Sequence, residues 1–494
     1  MRDTEQTPGG SVYRHMARGS AWAVAMRWSK RGIGLVSTII LARILSPADF
    51  GIVAMNAIVV GFLDLLSETG VAALLIRETK LTRELCDTGW TMQLLQNALV
   101  AIALVLIAPL GAWYFHEPRL IGFMKVTAIA SLIGGGRNVG MVLVRKELDF
   151  ARDFRFSVYA RLFTLVATVS FALVLRNYWA LALGNVASAI FNVLLSYGMH
   201  PYRPRLTLTR AREFLKFATS IIPSNLASYV NQRVDTLVVG HIAPTAQLGL
   251  YNLASQLSTM VTAEVTIPFA RALFPSLSTV RDDPKRLAEA YLYTLSVAAM
   301  ACIALGVGLS VVADDFVAVV LGEKWREAIP LIRLLAFYGI AEGLQVALVG
   351  QIFIIAGRER LGMILLCGRA CLFAAAVIIG GQIDGVYGVA YAAVAASAVY
   401  LPLGAFAVTW VLDVTMRDQA AALVRPVLAA FAMALVVQAL HLEGFLALLR
   451  LLVEVLLGGM TFVATLFAMW WLAGRPRGAE QVVVYLLRRG QQRL

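Results

Sequence analysis

The 494-residue chain is 59% hydrophobic and only 15% charged, with a mean hydropathy of +0.75. That composition excludes a soluble globular protein and points to an all-α polytopic membrane protein. The net charge of +13 reads as a topology and lipid-surface signal, and no nucleic-acid partner is expected.

Residues 1–20 are polar and basic, with no separate apolar core and cleavage site, so no removable signal peptide is expected. About fourteen apolar runs follow, each near the ~20 residues that cross a ~30 Å bilayer core. They lie at 22–41, 51–66, 88–114, 121–144, 154–175, 178–197, 214–239, 248–274, 288–312, 329–355, 361–380, 386–411, 421–440 and 445–471. The first carries Arg27, Lys30, Arg31, Gly34 and Thr38 at steps of 3, 1, 3 and 4, which place them on one helix face. The second carries Asn56, Asp64 and Glu68 at multiples of four. The fourth is interrupted by Gly134-Gly135-Gly136, which reads as close packing or a kink.

The seventh and eighth runs each hold one polar stripe at helical spacing. On the seventh these are Asn225, Ser228, Tyr229, Gln232 and Asp235; on the eighth, Asn252, Gln256, Thr259, Thr262 and Thr266. Interhelical hydrogen bonding accounts for any single Ser or Thr. Two neighbouring unbroken stripes favour a hydrated cavity, with Asn225, Tyr229, Gln232, Asn252, Gln256 and Thr259 as its polar lining. Charges at bilayer depth mark where function resides. The candidates for an anion-binding cavity are Arg27, Lys30, Arg31, Arg137, Arg161, Arg233 and Arg271, since Arg suits bidentate phosphate binding. Snorkelling from a helix end is the competing reading for Arg27, Arg161 and Arg271.

Other signals are weak. Asp282-Asp283 and Asp314-Asp315 read as solvated link pairs. Cys86, Cys302, Cys367 and Cys371 read as small packing residues, the five His are scattered, and neither metal nor cofactor is expected.

With the N-terminus cytoplasmic, 27 of the 43 Lys and Arg fall on the tails and the links facing the same side. Only five fall on the opposite links. Both termini are therefore expected in the cytoplasm. An offset of 198 residues aligns Phe50-Gly51 with Leu248-Gly249 and Arg43-Ile44 with His241-Ile242. Six spans separate the copies, so the repeat is parallel, with its axis along the membrane normal. The expected organisation is a tail at 1–20, six-helix bundles at 21–200 and 201–411, an appended helix pair at 412–472 and a basic tail at 473–494.

At this point particular residues resemble a known family. Leu41-Ala42-Arg43-Ile44-Leu45-Ser46-Pro47-Ala48-Asp49-Phe50-Gly51 is similar to the first-corner motif of the polysaccharide transporter (Wzx-type flippase) family, and Ala72-Ala73-Leu74-Leu75-Ile76-Arg77 to the segment after its second span. Asp235-Thr236-Leu237-Val238-Val239-Gly240, with Leu248-Gly249-Leu250-Tyr251-Asn252-Leu253-Ala254, resembles the second-half motif of the WzxC-like branch, the colanic acid and xanthan type exporters. Phe274-Pro275-Ser276-Leu277-Ser278 and Arg281-Asp282-Asp283 resemble the end of its eighth helix.

The resemblance implies the MOP superfamily fold, two six-helix bundles alternating about a central cavity. It implies an undecaprenyl-diphosphate-linked oligosaccharide as substrate, moved across the bacterial inner membrane. With no ATP-binding motif, transport would draw on an ion gradient (H+ or Na+) or on the sugar-lipid gradient. Asp64, Asp235 and Glu264 are the candidates for ion coupling. Membrane lipids and the polymerase and chain-length or export proteins of a polysaccharide pathway are the implied partners. A MATE-like drug/cation antiporter fits the basic interior less well, a lipid II flippase fits these motifs less well, and a polymerase or glycosyltransferase would want a large outer loop.

Overall fold

The computed structural model describes residues 8–67, 70–78, 81–279, 283–348, 352–440 and 445–474. Side chains are described for these residues except 8–21, 23, 219–224, 227, 264–265, 267–279 and 346–348. Among the described residues every element is helical. In chain order they are α1 (Pro8–Ile44), α2 (Pro47–Ser67), α3 (Val71–Arg77), α4 (Arg83–Tyr114), α5 (Arg119–Gly135), α6 (Gly140–Lys146), α7 (Phe150–Leu175), α8 (Trp179–Met199), α9 (Ala211–Ile242), α10 (Thr245–Thr279), α11 (Pro284–Val311) and α12 (Ala313–Phe316). After a short π-helical segment (Val317–Leu321) and a 3-10 segment (Glu323–Ala328) come α13 (Ile329–Leu348), α14 (Ile352–Ile355), α15 (Glu359–Thr409), α16 (Met416–Ala439) and α17 (Ala447–Leu472). Among the described residues the apolar runs fall mainly on these helices, and residues 349–351 of the tenth run lie outside the described residues. The eleventh and twelfth share α15, which breaks at Asp384 and Gly385. There Gly385 takes a positive φ of 54°, and a Cβ on Gly388 would lie 1.9 Å from the Gly380 carbonyl oxygen. Only glycine permits that fold-back.

The first corner shows how local chemistry places the helices. Ser46 donates its backbone N–H (2.9 Å) and its hydroxyl (2.6 Å) to Asp49 Oδ2, and accepts from the Asp49 N–H at 3.3 Å. This is a capping box, with Pro47 at the first helical position, where no N–H is needed. Asp49 Oδ1 also accepts the Tyr178 N–H at 2.9 Å, which ties this corner to the one between α7 and α8. The 198-residue repeat appears in the element bounds. α1 ends at Ile44 and α9 at Ile242, while α2 begins at Pro47 and α10 at Thr245.

By contacts the chain forms two compact units, Met1–Leu226 and Ala227–Leu494, so α9 begins in the first and ends in the second. In the first unit, α4 packs on α5, α7 on α8 and α1 on α7. The link from His200 to Arg210 is pinned along its length. Asp87 accepts from the Tyr202 hydroxyl (2.7 Å) and the Arg205 N–H (2.9 Å), and Thr91 accepts from the Thr207 N–H (3.0 Å). Burial and that hydrogen bond to Asp87 push the Tyr202 hydroxyl well above its usual range, so it remains a donor. Asn138 donates to the carbonyls of His200 and Tyr202.

In the second unit, α10 and α13 form the closest pair. A Cβ on Gly339 would fall 2.4 Å from the Ser258 carbonyl oxygen, so the two backbones touch. The C-terminal pair α16 and α17 packs on α11 within one apolar cluster. Tyr291 donates to Gln419 at 2.9 Å, and Gln419 donates to the Ala405 carbonyl at 3.0 Å.

Candidate functional site

The cationic face of α1 meets α7. Arg27, Lys30 and Arg31 are half-buried, and Arg161 of α7 is exposed beside them. A cleft of about 140 Å³ opens there, lined by Ile33, Gly34, Ser37, Thr38, Arg161 and Thr164 among others. Gly34 leaves its floor open, since a Cβ there would sit 3.7 Å from an Arg161 Nη. Lys30 lies in the field of Arg161, Arg145 and Asp153. Asp153 is buried and paired with Arg145 at 3.1 Å. The cleft therefore sets the Arg161 guanidinium beside Ser37 and Thr38 of α1, the Thr38 hydroxyl donating to the Gly34 carbonyl at 3.1 Å, and with Lys30 close to Arg161 the local charge suits an anionic group.

Arg137 sits in the break between α5 and α6, which bend by 61°. A break frees backbone carbonyls that a membrane cannot solvate. Gln93 answers it by donating to the Gly135 and Arg137 carbonyls, each at 3.0 Å. The three-glycine run is thus a kink held by packing, since a Cβ on Gly135 would press Asn97 at 2.8 Å.

A second polar centre lies in the other unit. Asp235, 3% exposed, accepts from the Tyr251 hydroxyl at 2.9 Å and from the Thr236 N–H and hydroxyl at 2.7 and 3.2 Å. Its carboxyl could take up a proton or offer oxygens to a small cation. Nearby on α13 and α15, Glu342 and Arg369 form a half-buried ion pair, with Arg369 5.8 Å from the Tyr400 ring centroid. Tyr400 in turn donates to the Leu365 carbonyl at 2.6 Å.

The polar stripes divide. On α9, Asn225, Tyr229 and Arg233 are half-buried and Gln232 is exposed; on α10, Asn252 and Thr259 are half-buried and Gln256 is exposed. Thr262 and Thr266 are instead packed away. Their hydroxyls return to their own helix, and a Cβ on Gly343 would crowd both. Asp64 is exposed near the end of α2. The side chains of Glu264 and Arg271, and the whole of Glu68, Arg281 and Asp282, lie outside the described residues. Two link carboxylates are not merely solvated. Asp283 caps α11 by accepting from the Lys285 and Arg286 N–H groups, and Asp315 is buried against Arg450 of α17. Cys367 and Cys371 are exposed rather than packed inside. Among the described residues, no three His, Cys, Asp or Glu side chains could together hold a metal ion.

A family described as polysaccharide biosynthesis protein matches residues 40–330, more than half of the chain. The chain belongs to that family. Within reach of the polysaccharide biosynthesis family stands the lipopolysaccharide biosynthesis protein WzxC of Escherichia coli K12. It is 27% identical over 379 residues, covering 75% of this chain and 76% of WzxC. The teichuronic acid biosynthesis protein TuaB of Bacillus subtilis 168 is 21% identical over 461 residues, covering 92% of this chain and 95% of TuaB. Among solved structures, the lipid II flippase MurJ in an inward closed conformation aligns with a TM-score of 0.73 at 15% identity, over 92% of this chain and 100% of MurJ. An inward-facing MATE family transporter of the MOP superfamily aligns with a TM-score of 0.58 at 17% identity, over 77% and 95%. This family member is a multi-pass membrane protein with the MOP superfamily fold.

Proposed function

We propose that this protein is a flippase that carries undecaprenyl-diphosphate-linked oligosaccharides across the bacterial inner membrane by alternating access. It acts as a transporter, not an enzyme. The observation that carries the reading is the cleft between α1 and α7, lined by Arg161, with Lys30 in the field of that guanidinium and Arg27 and Arg31 on the same face of α1. A diphosphate presents two or more negative charges, and Arg side chains meet it with paired, directed donors. A cation antiporter would be poorly served by this charge. Both termini face the cytoplasm in this scheme, so the start of α1 lies where the head group enters. Asp235 is the coupling carboxyl best placed to exchange H+ or Na+, with Asp64 and Glu264 as further members.

Deleting the gene in its host tests this. Undecaprenyl-linked oligosaccharide should accumulate facing the cytoplasm while exported polymer is lost. Arg27→Gln and Arg31→Gln should impair export at normal membrane abundance, with Lys replacements rescuing only in part. Full export by both Gln variants at normal abundance would remove the cleft from the mechanism.

A further inference from the structure

Lys125 is a charge at membrane depth on an otherwise apolar stretch of α5. Arg145, Arg369 and Arg450 each have a carboxylate. Among the described residues, no hydrogen bond or ion pair reaches the exposed Lys125 ammonium. Its surroundings are apolar. α4 turns Leu95, Leu99, Ile102, Leu106, Leu110 and Trp113 outward, at steps of 4, 3, 4, 4 and 3, the stripe of a helix that faces acyl chains. Between this stripe and α5 runs a groove of about 430 Å³, in which Lys125 is the one charged lining residue among the described residues. Ala98 and Ala101 on α4 and Ala128 on α5 give it depth, and Val105, Ile129 and Leu132 give it walls.

The dimensions and the charge agree. From Ala98 to Leu106 the groove runs about 12 Å along α4, close to half of a ~30 Å hydrocarbon core, so it spans one leaflet. Lys125 lies six residues, about 9 Å, below Arg119 at the start of α5. Arg119 is paired with Glu117 at 2.7 Å in the corner before α5, at the level of the head groups. Side chains lean toward a helix N-terminus, so the Lys125 ammonium rises toward that level along its own apolar stem. A charge left unpaired in hydrocarbon is costly, and among the described residues no carboxylate lines the groove.

We infer that this groove is a binding site for an anionic glycerophospholipid of that leaflet, with its phosphate on Lys125 and one acyl chain laid between α4 and α5. A net negative head group fits better than a zwitterionic one, whose own ammonium competes for the phosphate. This site is separate from the α1–α7 cleft and does not rest on the transport reading.

The test uses the full-length protein in mild detergent and native mass spectrometry. Phosphatidylglycerol and phosphatidylcholine with identical acyl chains are titrated against wild type, Lys125→Gln, Lys125→Arg and Ala98→Leu. Wild type should retain phosphatidylglycerol over phosphatidylcholine. Lys125→Gln should lose that preference, with retention falling roughly tenfold, the worth of one charge-assisted hydrogen bond. Lys125→Arg should keep the preference, and Ala98→Leu, which fills the groove, should lower retention of both lipids. Equal retention of the two lipids by wild type, or unchanged phosphatidylglycerol retention in Lys125→Gln, would overturn the site.

Discussion

Removing one member of the Glu342–Arg369 pair should damage the second unit more than removing both. The side chains are 22% and 13% exposed, so neither charge is well solvated once its partner is gone. Breaking a buried pair from one side costs about 3–5 kcal/mol, whereas replacing both members by apolar groups of similar volume is often close to neutral. We take about 3 kcal/mol for Arg369→Met or Glu342→Leu alone, at the lower bound because each side chain retains some exposure. The second unit spans residues 227–494. At roughly 2.1 cal/mol/K per residue its unfolding entropy is about 0.56 kcal/mol/K, so each single variant should melt about 5 °C lower. The Glu342→Leu/Arg369→Met double variant should melt within about 2 °C of wild type. Tryptophan fluorescence melts in detergent, on protein matched for membrane insertion, measure all four corners of the cycle. If the double variant loses the sum of the two single losses, the pair is not a coupled buried unit and the reasoning fails.

Further outcomes are expected. Tyr251→Phe removes one of three donors to Asp235 and should cost roughly 1.5–3 kcal/mol if the carboxyl is ionised; a melt indistinguishable from wild type would mean that the bond does not hold it. Gly388→Ala drives a methyl into the Gly380 carbonyl, so it should lower membrane abundance sharply, as read by a C-terminal fluorescent fusion. His200 accepts the Tyr202 N–H on Nδ1 at 3.1 Å, and burial pushes its pKa below the ordinary value, partly offset by Glu147. The unfolded link then binds the proton more readily than the folded one. Stability from this contact is full at neutral pH and is lost as pH falls below about 6.5. Amide protection factors across 200–207, with the intrinsic pH dependence of exchange divided out, should fall at pH 5.5 relative to 7.5, and His200→Phe should abolish the difference. Single cysteines at Lys324 and Gln492, in a background without the four native cysteines, should label from opposite sides of the membrane; labelling of both from outside intact cells would overturn the charge-based topology.

The helices were legible because span length and hydropathy dominate a chain in lipid, and the two short corners share one spacing of 198 residues. Pairings across space were not. Glu342 and Arg369 lie in the tenth and eleventh apolar runs, but 27 residues and a chain reversal separate them, and no periodicity links them. Asp315 looked like half of a solvated pair because nothing local reveals that α17 brings Arg450 to it. On α10, Thr262 and Thr266 continue the spacing of Gln256 and Thr259, yet close approach of α13 at Gly343 claims them for packing. The glycine run announced a kink, whereas the Gln93 side chain that seals its carbonyls carries no sequence signature.

The capping box at the first corner has a consequence for how relatives are read. The Ser46 and Asp49 side chains are engaged with each other and with the Tyr178 backbone N–H, so their role is to fix the corner. Sequence searches that key on this tetrapeptide select chains able to make the same helix start and the same corner lock. Two exporters could share it to the letter and handle different saccharides. A graft that swaps this corner between them should transplant folding yield and leave the exported polymer unchanged.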